Sequence, residues 1–244
     1  LSNLNVTKEG SPLASYAYTL DKTGRRLSST ELGGRTTTYN YDAVYKLTRE
    51  QITGDQNAAN NGAVDYVYDA VGNRLSRISN IAAILAKTST YDDNDRLLSD
   101  LYDANGNARS VDGRSYTYDF DNRLKGASGS VSMVYDGDGH LAAKTAGGVT
   151  TRYLVDDLNP TGYTQVLEEL VGGQVQKQYT YGNTIISQRQ QVASDVWSTH
   201  FYSVDGHGSV RQLTNESGVV TDTYTFDAFG KLISQTGSTS NPYL

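Results

Sequence analysis

Three features of the chain carry residue types that could do chemistry. Asp205-Gly206-His207-Gly208-Ser209 sets a carboxylate, an imidazole and a hydroxyl close together, the types that a hydrolase uses as orienter, base and nucleophile. Proximity along the chain does not make a triad, because the three side chains must converge on a scaffold that also offers an oxyanion site. The expectation is a histidine in a turn. His140 and His200 are isolated, with no second ligand at metal-binding spacing. Asp136-Gly137-Asp138-Gly139 and the run from Asp92 to Asp95 resemble the start of a calcium loop, but an EF-hand pattern wants a glutamate where Gly147 stands. The third feature is tyrosine, of which there are 19. Exposed phenol rings can stack on sugars, yet alternate tyrosines beside a turn are already explained by strand packing. The sequence therefore predicts no catalytic residue, no cofactor-binding residue and no metal ligand, and a chain that is not an enzyme.

The elements that would position these residues come from a repeat. Tyr224 to Leu232 reads YTFDAFGKL, and near-copies run along the chain: YNYDAVYKL (Tyr39 to Leu47), YVYDAVGNRL (Tyr66 to Leu75) and YTYDFDNRL (Tyr116 to Leu124). In a strand, residues two apart share a face, so the aromatics of Tyr-x-Tyr lie on one side and the residue between them on the other. The following Asp suits the first position of a turn, where its carboxylate accepts backbone N–H groups. Three residues later stands Gly72, Gly106, Gly139 or Gly230, with Asn122 in the same place in one copy, where a left-handed backbone is needed. The unit reads strand, tight turn, strand.

In chain order, Tyr16 to Leu27 is a degraded first copy, and Tyr45 stands where the second copy lacks its glycine. Asp55 to Gly62 is polar and is expected to be a long exposed loop. Ile78 to Ala86 could suggest a helix but is short and poorly capped, which favours a hairpin. From residue 90 the copies crowd together, anchored by Asp92, Asp103, Asp119 and Asp136.

A second class of reversal lies between these turns: Gly147-Gly148, Gly172-Gly173 and Glu216-Ser217-Gly218. Short links at both ends of a strand demand antiparallel neighbours, since a parallel neighbour needs a crossover of about a dozen residues. A chain of 244 residues would hold some twenty such strands, and open sheets of more than ~10 strands tend to curl. The predicted class is all-β, an antiparallel hairpin strip that rolls up as a barrel or a spiral.

Composition bounds the rest. The formal net charge is -6 without basic runs, which argues against nucleic acid and anionic membrane surfaces. No run approaches ~18 consecutive apolar residues, so no membrane span is expected. Without cysteine there is no disulfide framework. The chain opens on Leu1 and stops at Asn241-Pro242-Tyr243-Leu244 in the middle of a pattern, and it is expected to be a segment of something longer.

The tandem YxYDxxGxxL copies, followed by FYSVDGHGSVRQL (Phe201 to Leu213), GVVTDTYTFDAFGKL and the terminal NPYL, resemble the YD repeats and the start of the core region of RHS-repeat proteins. That family includes bacterial polymorphic toxins, shell components of insecticidal toxin complexes, and teneurins. The resemblance implies a YD-repeat strip wound into a spiral or solenoid-like hollow shell. It also implies a division into a repeat array over 1–200 and the start of the core region over 201–244. In bacterial members the shell encloses a C-terminal toxin domain released by self-cleavage. The cleavage signature and a variable tail are absent here, so neither activity carries over. The expected function is a structural wall segment of a secreted or cell-surface protein, partnered by the remainder of its own polypeptide. The alternative is a surface-displayed fibre or carbohydrate-binding module that self-associates through its sheet ends.

Overall fold

The aspartate of each Tyr-Asp copy decides where the chain reverses. In the computed structural model, which describes residues 1–243, Asp69 Oδ1 accepts N–H groups from Val71, Gly72 and Asn73 at 3.1, 2.8 and 2.8 Å. Asp119 takes those of Asp121 and Arg123, both at 2.9 Å, and Asp227 those of Phe229 and Lys231 at 2.9 and 2.7 Å. The residue three after each aspartate is left-handed: Gly72 has φ 109°, and Tyr45 and Asn122 hold 71° and 60° without being glycine. The turn demands that conformation whichever residue occupies the slot. Asn215, in the link assigned by sequence to the other class of reversal, makes the same loop, its Oδ1 accepting from Ser217 and Val219 at 3.0 and 2.9 Å.

Between the reversals run twenty-two strands, with no α-helix among the described residues. The chain forms two compact units, one of Leu1–Tyr91 with Tyr202–Leu244 and one of Asp92–Phe201.

In the first unit eight strands lie side by side in chain order: β1 (Asn3–Lys8), β2 (Ser11–Leu20), β3 (Arg26–Glu31), β4 (Thr36–Tyr41), β5 (Leu47–Thr53), β6 (Gly62–Tyr68), β7 (Arg74–Ser79) and β8 (Lys87–Thr88). The second unit holds a like succession in chain order, β9 (Leu101–Tyr102), β10 (Ala108–Val111), β11 (Arg114–Tyr118), β12 (Leu124–Ala127), β13 (Val131–Tyr135), β14 (Leu141–Ala146), β15 (Val149–Asp156), β16 (Gln165–Val171), β17 (Gln174–Tyr181), β18 (Ile185–Ala193) and the greater part of β19 (Val196–Val204). The first unit is completed by β20 (Val210–Asn215), β21 (Val220–Phe226) and β22 (Leu232–Thr236). Neighbours pair antiparallel, as with Tyr66↔Arg77 and Lys177↔Gln190. The sheets are open, not barrels closed on themselves.

The alternation expected of Tyr-x-Tyr holds. Tyr16 and Tyr18 are buried around an exposed Ala17, and Tyr66 is buried beside an exposed Val67. In several copies the hydroxyl of the tyrosine next to the aspartate has the same task. Tyr41 donates to the Arg26 carbonyl at 2.8 Å, Tyr68 to Leu47 at 2.8 Å, Tyr91 to Arg74 at 3.1 Å and Tyr135 to Leu124 at 2.8 Å. Each acceptor is the residue that leaves the preceding Tyr-Asp turn, so these four turns are each laced to the one before.

The largest apolar cluster of the first unit joins Ile52, Val64, Tyr66, Ile81, Ile84 and Ile233. Ile81 and Ile84 come from the link between β7 and β8, which pair as Arg77↔Lys87, giving the hairpin expected over Ile78 to Ala86. The loop Asp55 to Gly62 is exposed over residues 56–59, as expected, but not at Asn60. Its Ala58–Asn60 segment forms a 3-10 turn capped by the Asn57 side chain, and Asn60 is buried, donating to Asp55 Oδ1 at 3.3 Å and Ser234 Oγ at 3.2 Å. The buried Asn60 amide is thereby satisfied by its own loop and by the neighbouring strand instead of by water. In the terminal Asn-Pro-Tyr-Leu, Leu244 lies outside the described residues.

Candidate functional site

Within the first unit, β20 to β22 pack on the sheet of β1 to β8 through a layer of polar side chains. Period-two alternation along β5 puts Glu50 on the face of Ile52, and both are 1% exposed. Glu50 Oε1 accepts the Tyr66 hydroxyl at 2.7 Å, and Oε2 accepts the Ala228 N–H at 2.9 Å in the turn after β21. Burial raises the Glu50 carboxyl above the ordinary glutamate value, against the pull of the Tyr66 hydrogen bond, and Asp227 adds to the rise. Burial also drives the Tyr66 phenol far up, reinforced by the Glu50 charge.

Arg211 of β20 is the centre of a second group. Its Nη2 donates to both Glu31 oxygens at 2.9 Å, its Nη1 to Asp205 Oδ2 at 3.3 Å and its Nε to the Tyr224 carbonyl at 2.9 Å. Burial works against its charge, and Glu31, Tyr16 and Asp205 together outweigh that, leaving the guanidinium pKa above its usual value. Glu31 also accepts from Arg35 Nη1 at 2.6 Å, and Arg35 Nε lies 3.2 Å from Asp55 Oδ2. Burial pushes the nearby Tyr16 phenol up to about 12.

Close approach completes the layer. Tyr18 Oη accepts the Gly206 N–H at 2.8 Å, and a Cβ at Gly206 would fall 2.8 Å from the Tyr18 ring, so only glycine fits there. Lys8 Nζ donates to the Ser217 carbonyl, and Phe229 meets Tyr66 edge-on with ring centres 4.9 Å apart. Between β3, β4 and the turns at 205 and 227 a cleft of about 470 Å³ remains.

The residues singled out by sequence fall into place as turn residues. Asp205 Oδ1 accepts the backbone N–H groups of His207 and Ser209 at 2.8 and 3.2 Å, so the loop is organised by main chain and not by a relay of the three side chains. Asp136 Oδ1 accepts from Asp138 and His140 N–H at 3.0 and 2.8 Å, with His140 Nδ1 3.5 Å from Oδ2. Asp92 likewise caps its own turn and pairs with Arg96. His200 is buried in β19. Among the described residues no group of three His, Asp or Glu side chains is placed to hold a metal. What sequence reasoning missed is the Arg211, Glu31 and Glu50 network. The Glu50 position was readable from its alternation with Ile52, whereas the partners of Arg211 are brought to it only by the fold.

No protein-family profile matches the chain. It is similar to the tRNA3(Ser)-specific nuclease WapA of Bacillus spizizenii, 28% identical over 187 residues that cover 68% of this chain and 7% of that protein. The tRNA nuclease WapA of Bacillus subtilis is 27% identical over the same lengths and shares. Among solved structures, the TcdB2-TccC3 crystal structure matches with a TM-score of 0.69 at 16% identity, over 93% of this chain and 14% of that one. The Photorhabdus luminescens Tc holotoxin pore matches at 0.66 and 15% identity, with the same coverage. The chain thus spans a small part of each relative. These likenesses bear out the resemblance to RHS/YD-repeat proteins, and the structural ones bear on the fold.

Proposed function

We propose that this RHS/YD-repeat segment is a non-enzymatic piece of wall in a longer secreted or cell-surface polypeptide, and that the wall winds into a hollow shell around a C-terminal domain. The observation that carries the reading is the second unit. It is a meander of laced hairpins in which Tyr179 is the one large apolar side chain fully buried among the described residues, while Leu101, Phe120, Leu154 and Leu158 stand exposed. Apolar area left open on strands and turns is suited to cover by further chain. Further YD repeats and the enclosed domain are the partners that would supply it. Residues 1–200 are then the repeat array and 201–244 the entry into the core region. No helix of the described residues is long and apolar enough to cross a membrane. The carbohydrate-platform alternative is weakened by the phenols of Tyr41, Tyr68, Tyr91 and Tyr135, which are spent on neighbouring carbonyls.

The test is protease protection of the longer parent polypeptide. The domain beyond the core region should survive until the wall is cut, and this 244-residue chain alone should leave tRNA intact. A C-terminal domain digested as fast inside the parent as when isolated, or tRNA cleavage by this chain, overturns the proposal.

A further inference from the structure

The cleft of about 470 Å³ in the first unit falls in the size range of small-molecule sites. Its wall includes three guanidinium groups, from Arg26, Arg35 and Arg211, and three carboxylates, from Glu31, Asp205 and Asp227. Most of these charges are spent on one another. Two opposite ends are not.

The first is Asp227. In four other turns the second carboxylate oxygen is claimed by a hydrogen bond from the side chain four residues on: Arg25 at 2.6 Å, Asn73 at 3.0 Å, Arg96 at 2.8 Å and Arg123 at 2.7 Å from their aspartates. At Asp227 the corresponding residue is Lys231, which is exposed and does not return. Asp227 is 6% exposed, and its Oδ2 is buried with no donor. It is the carboxylate among the described residues left in that condition.

The second end is cationic. Arg35 is 7% exposed, and its Nη2 is buried with no acceptor. Arg26 lies over the Tyr18 ring, its guanidinium carbon 4.1 Å from the ring centre, and forms no ion pair among the described residues. Buried polar groups are otherwise satisfied in folded proteins, and leaving one unpaired is costly. One buried atom of each sign, Asp227 Oδ2 and Arg35 Nη2, is left unpaired, so a ligand of a single sign would satisfy one and leave the other. A ligand carrying both signs would not. The remaining wall, with Leu47, Phe226 and Phe229, offers an apolar surface for a side chain.

We propose that this cleft binds a small zwitterion of the α-amino acid class, with its ammonium group on Asp227 Oδ2 and its carboxylate on Arg35 Nη2 and Arg26. The site lies within one unit and does not depend on what the wall encloses.

Calorimetric titration of the full chain with phenylalanine, N-acetylphenylalanine and phenylalaninamide tests it, since the two blocked forms each lack one charge. The free amino acid should bind, and each blocked form should bind at least about tenfold more weakly, equivalent to about 1.4 kcal/mol. Because these probes use the unaltered chain, the result does not depend on a variant folding. D227N, which can still cap its turn, and R26Q should each weaken phenylalanine about tenfold with unchanged circular dichroism. Equal binding of free and blocked forms, or no binding of phenylalanine or the other common amino acids at millimolar concentration, overturns the assignment. So does a crystal structure in which ordered water fills both positions in the presence of the amino acid.

Discussion

Replacing Arg211 by methionine removes a nearly isovolumetric stem's charge from the layer that holds β20 to β22 on the first sheet. The side chain is 9% exposed and makes four hydrogen bonds: two to Glu31, one to Asp205 and one to the Tyr224 carbonyl. Removing one partner of a buried ion pair costs about 3–5 kcal/mol, because the other charge is left unpaired. Here the loss falls at the low end. Glu31 keeps the Arg35 Nη1 bond at 2.6 Å, and Asp205 keeps its two backbone donors, so neither carboxylate is fully stranded. About 3 kcal/mol is expected, which corresponds to amide exchange about 150-fold faster for protons released by opening of the first unit. Hydrogen exchange read by mass spectrometry should show that acceleration in peptides from β3, β20 and β21. Protection in β14 to β17 should be unchanged. Acceleration below about fivefold in β20, equivalent to about 1 kcal/mol, would refute the claim that this network clamps the strands.

Two further outcomes follow from the geometry. Tyr68→Phe deletes the 2.8 Å bond to the Leu47 carbonyl while keeping the ring, and should lower stability by about 1 kcal/mol in urea titration; no loss would mean that the lacing hydroxyls are energetically idle. Asp92 and Asp103 are held below the ordinary carboxylate value by the Arg96 and Asn107 side chains, so their stabilisation is present above the unfolded pKa of about 3.9 and is lost as pH falls from there towards the lower folded values. Glu50 has the opposite sign: burial raises its carboxyl, its ionised form costs stability at neutral pH, and acidification through the raised value relieves that cost. Unfolding midpoints followed by circular dichroism should therefore fall below about pH 4 for the second unit, where Asp92, Asp103, Asp119 and Asp136 are all held below the ordinary value, and a midpoint that climbs there would contradict this account.

The strand and turn grammar was legible because it is local. Asp at the head of the turn, a left-handed position three residues on and alternating aromatics are properties of a few consecutive residues, and Asp69, Gly72, Tyr66 and Tyr68 act as their types predict. Ile78 to Ala86 could be read as a hairpin for the same reason. Tyr45 was the anomaly in its copy, and it adopts the left-handed backbone anyway because the ladder on both sides of the turn fixes the path. Asn60 misled because polar composition signals exposure, whereas its side chain finds Ser234 of a strand 174 positions away. The polar layer was hidden for that reason too. Arg211 and Glu31 are separated by 180 positions, and nothing in either neighbourhood names the other. Asp205, His207 and Ser209 attracted notice by type, but the turn consumed the carboxylate before it could orient a base.

The direction of the tyrosine lacing has a consequence for how the chain is made. Tyr41 reaches back to Arg26, Tyr68 to Leu47, Tyr91 to Arg74 and Tyr135 to Leu124, always towards a residue of lower number. On a ribosome the older anchor has left the exit tunnel before the phenol that needs it. Each new hairpin can close on a finished predecessor, so growth is vectorial and no stage waits for sequence still to be translated. The exception is the opening sheet, whose buried Glu50 meets Ala228 only when synthesis has gone 178 residues further.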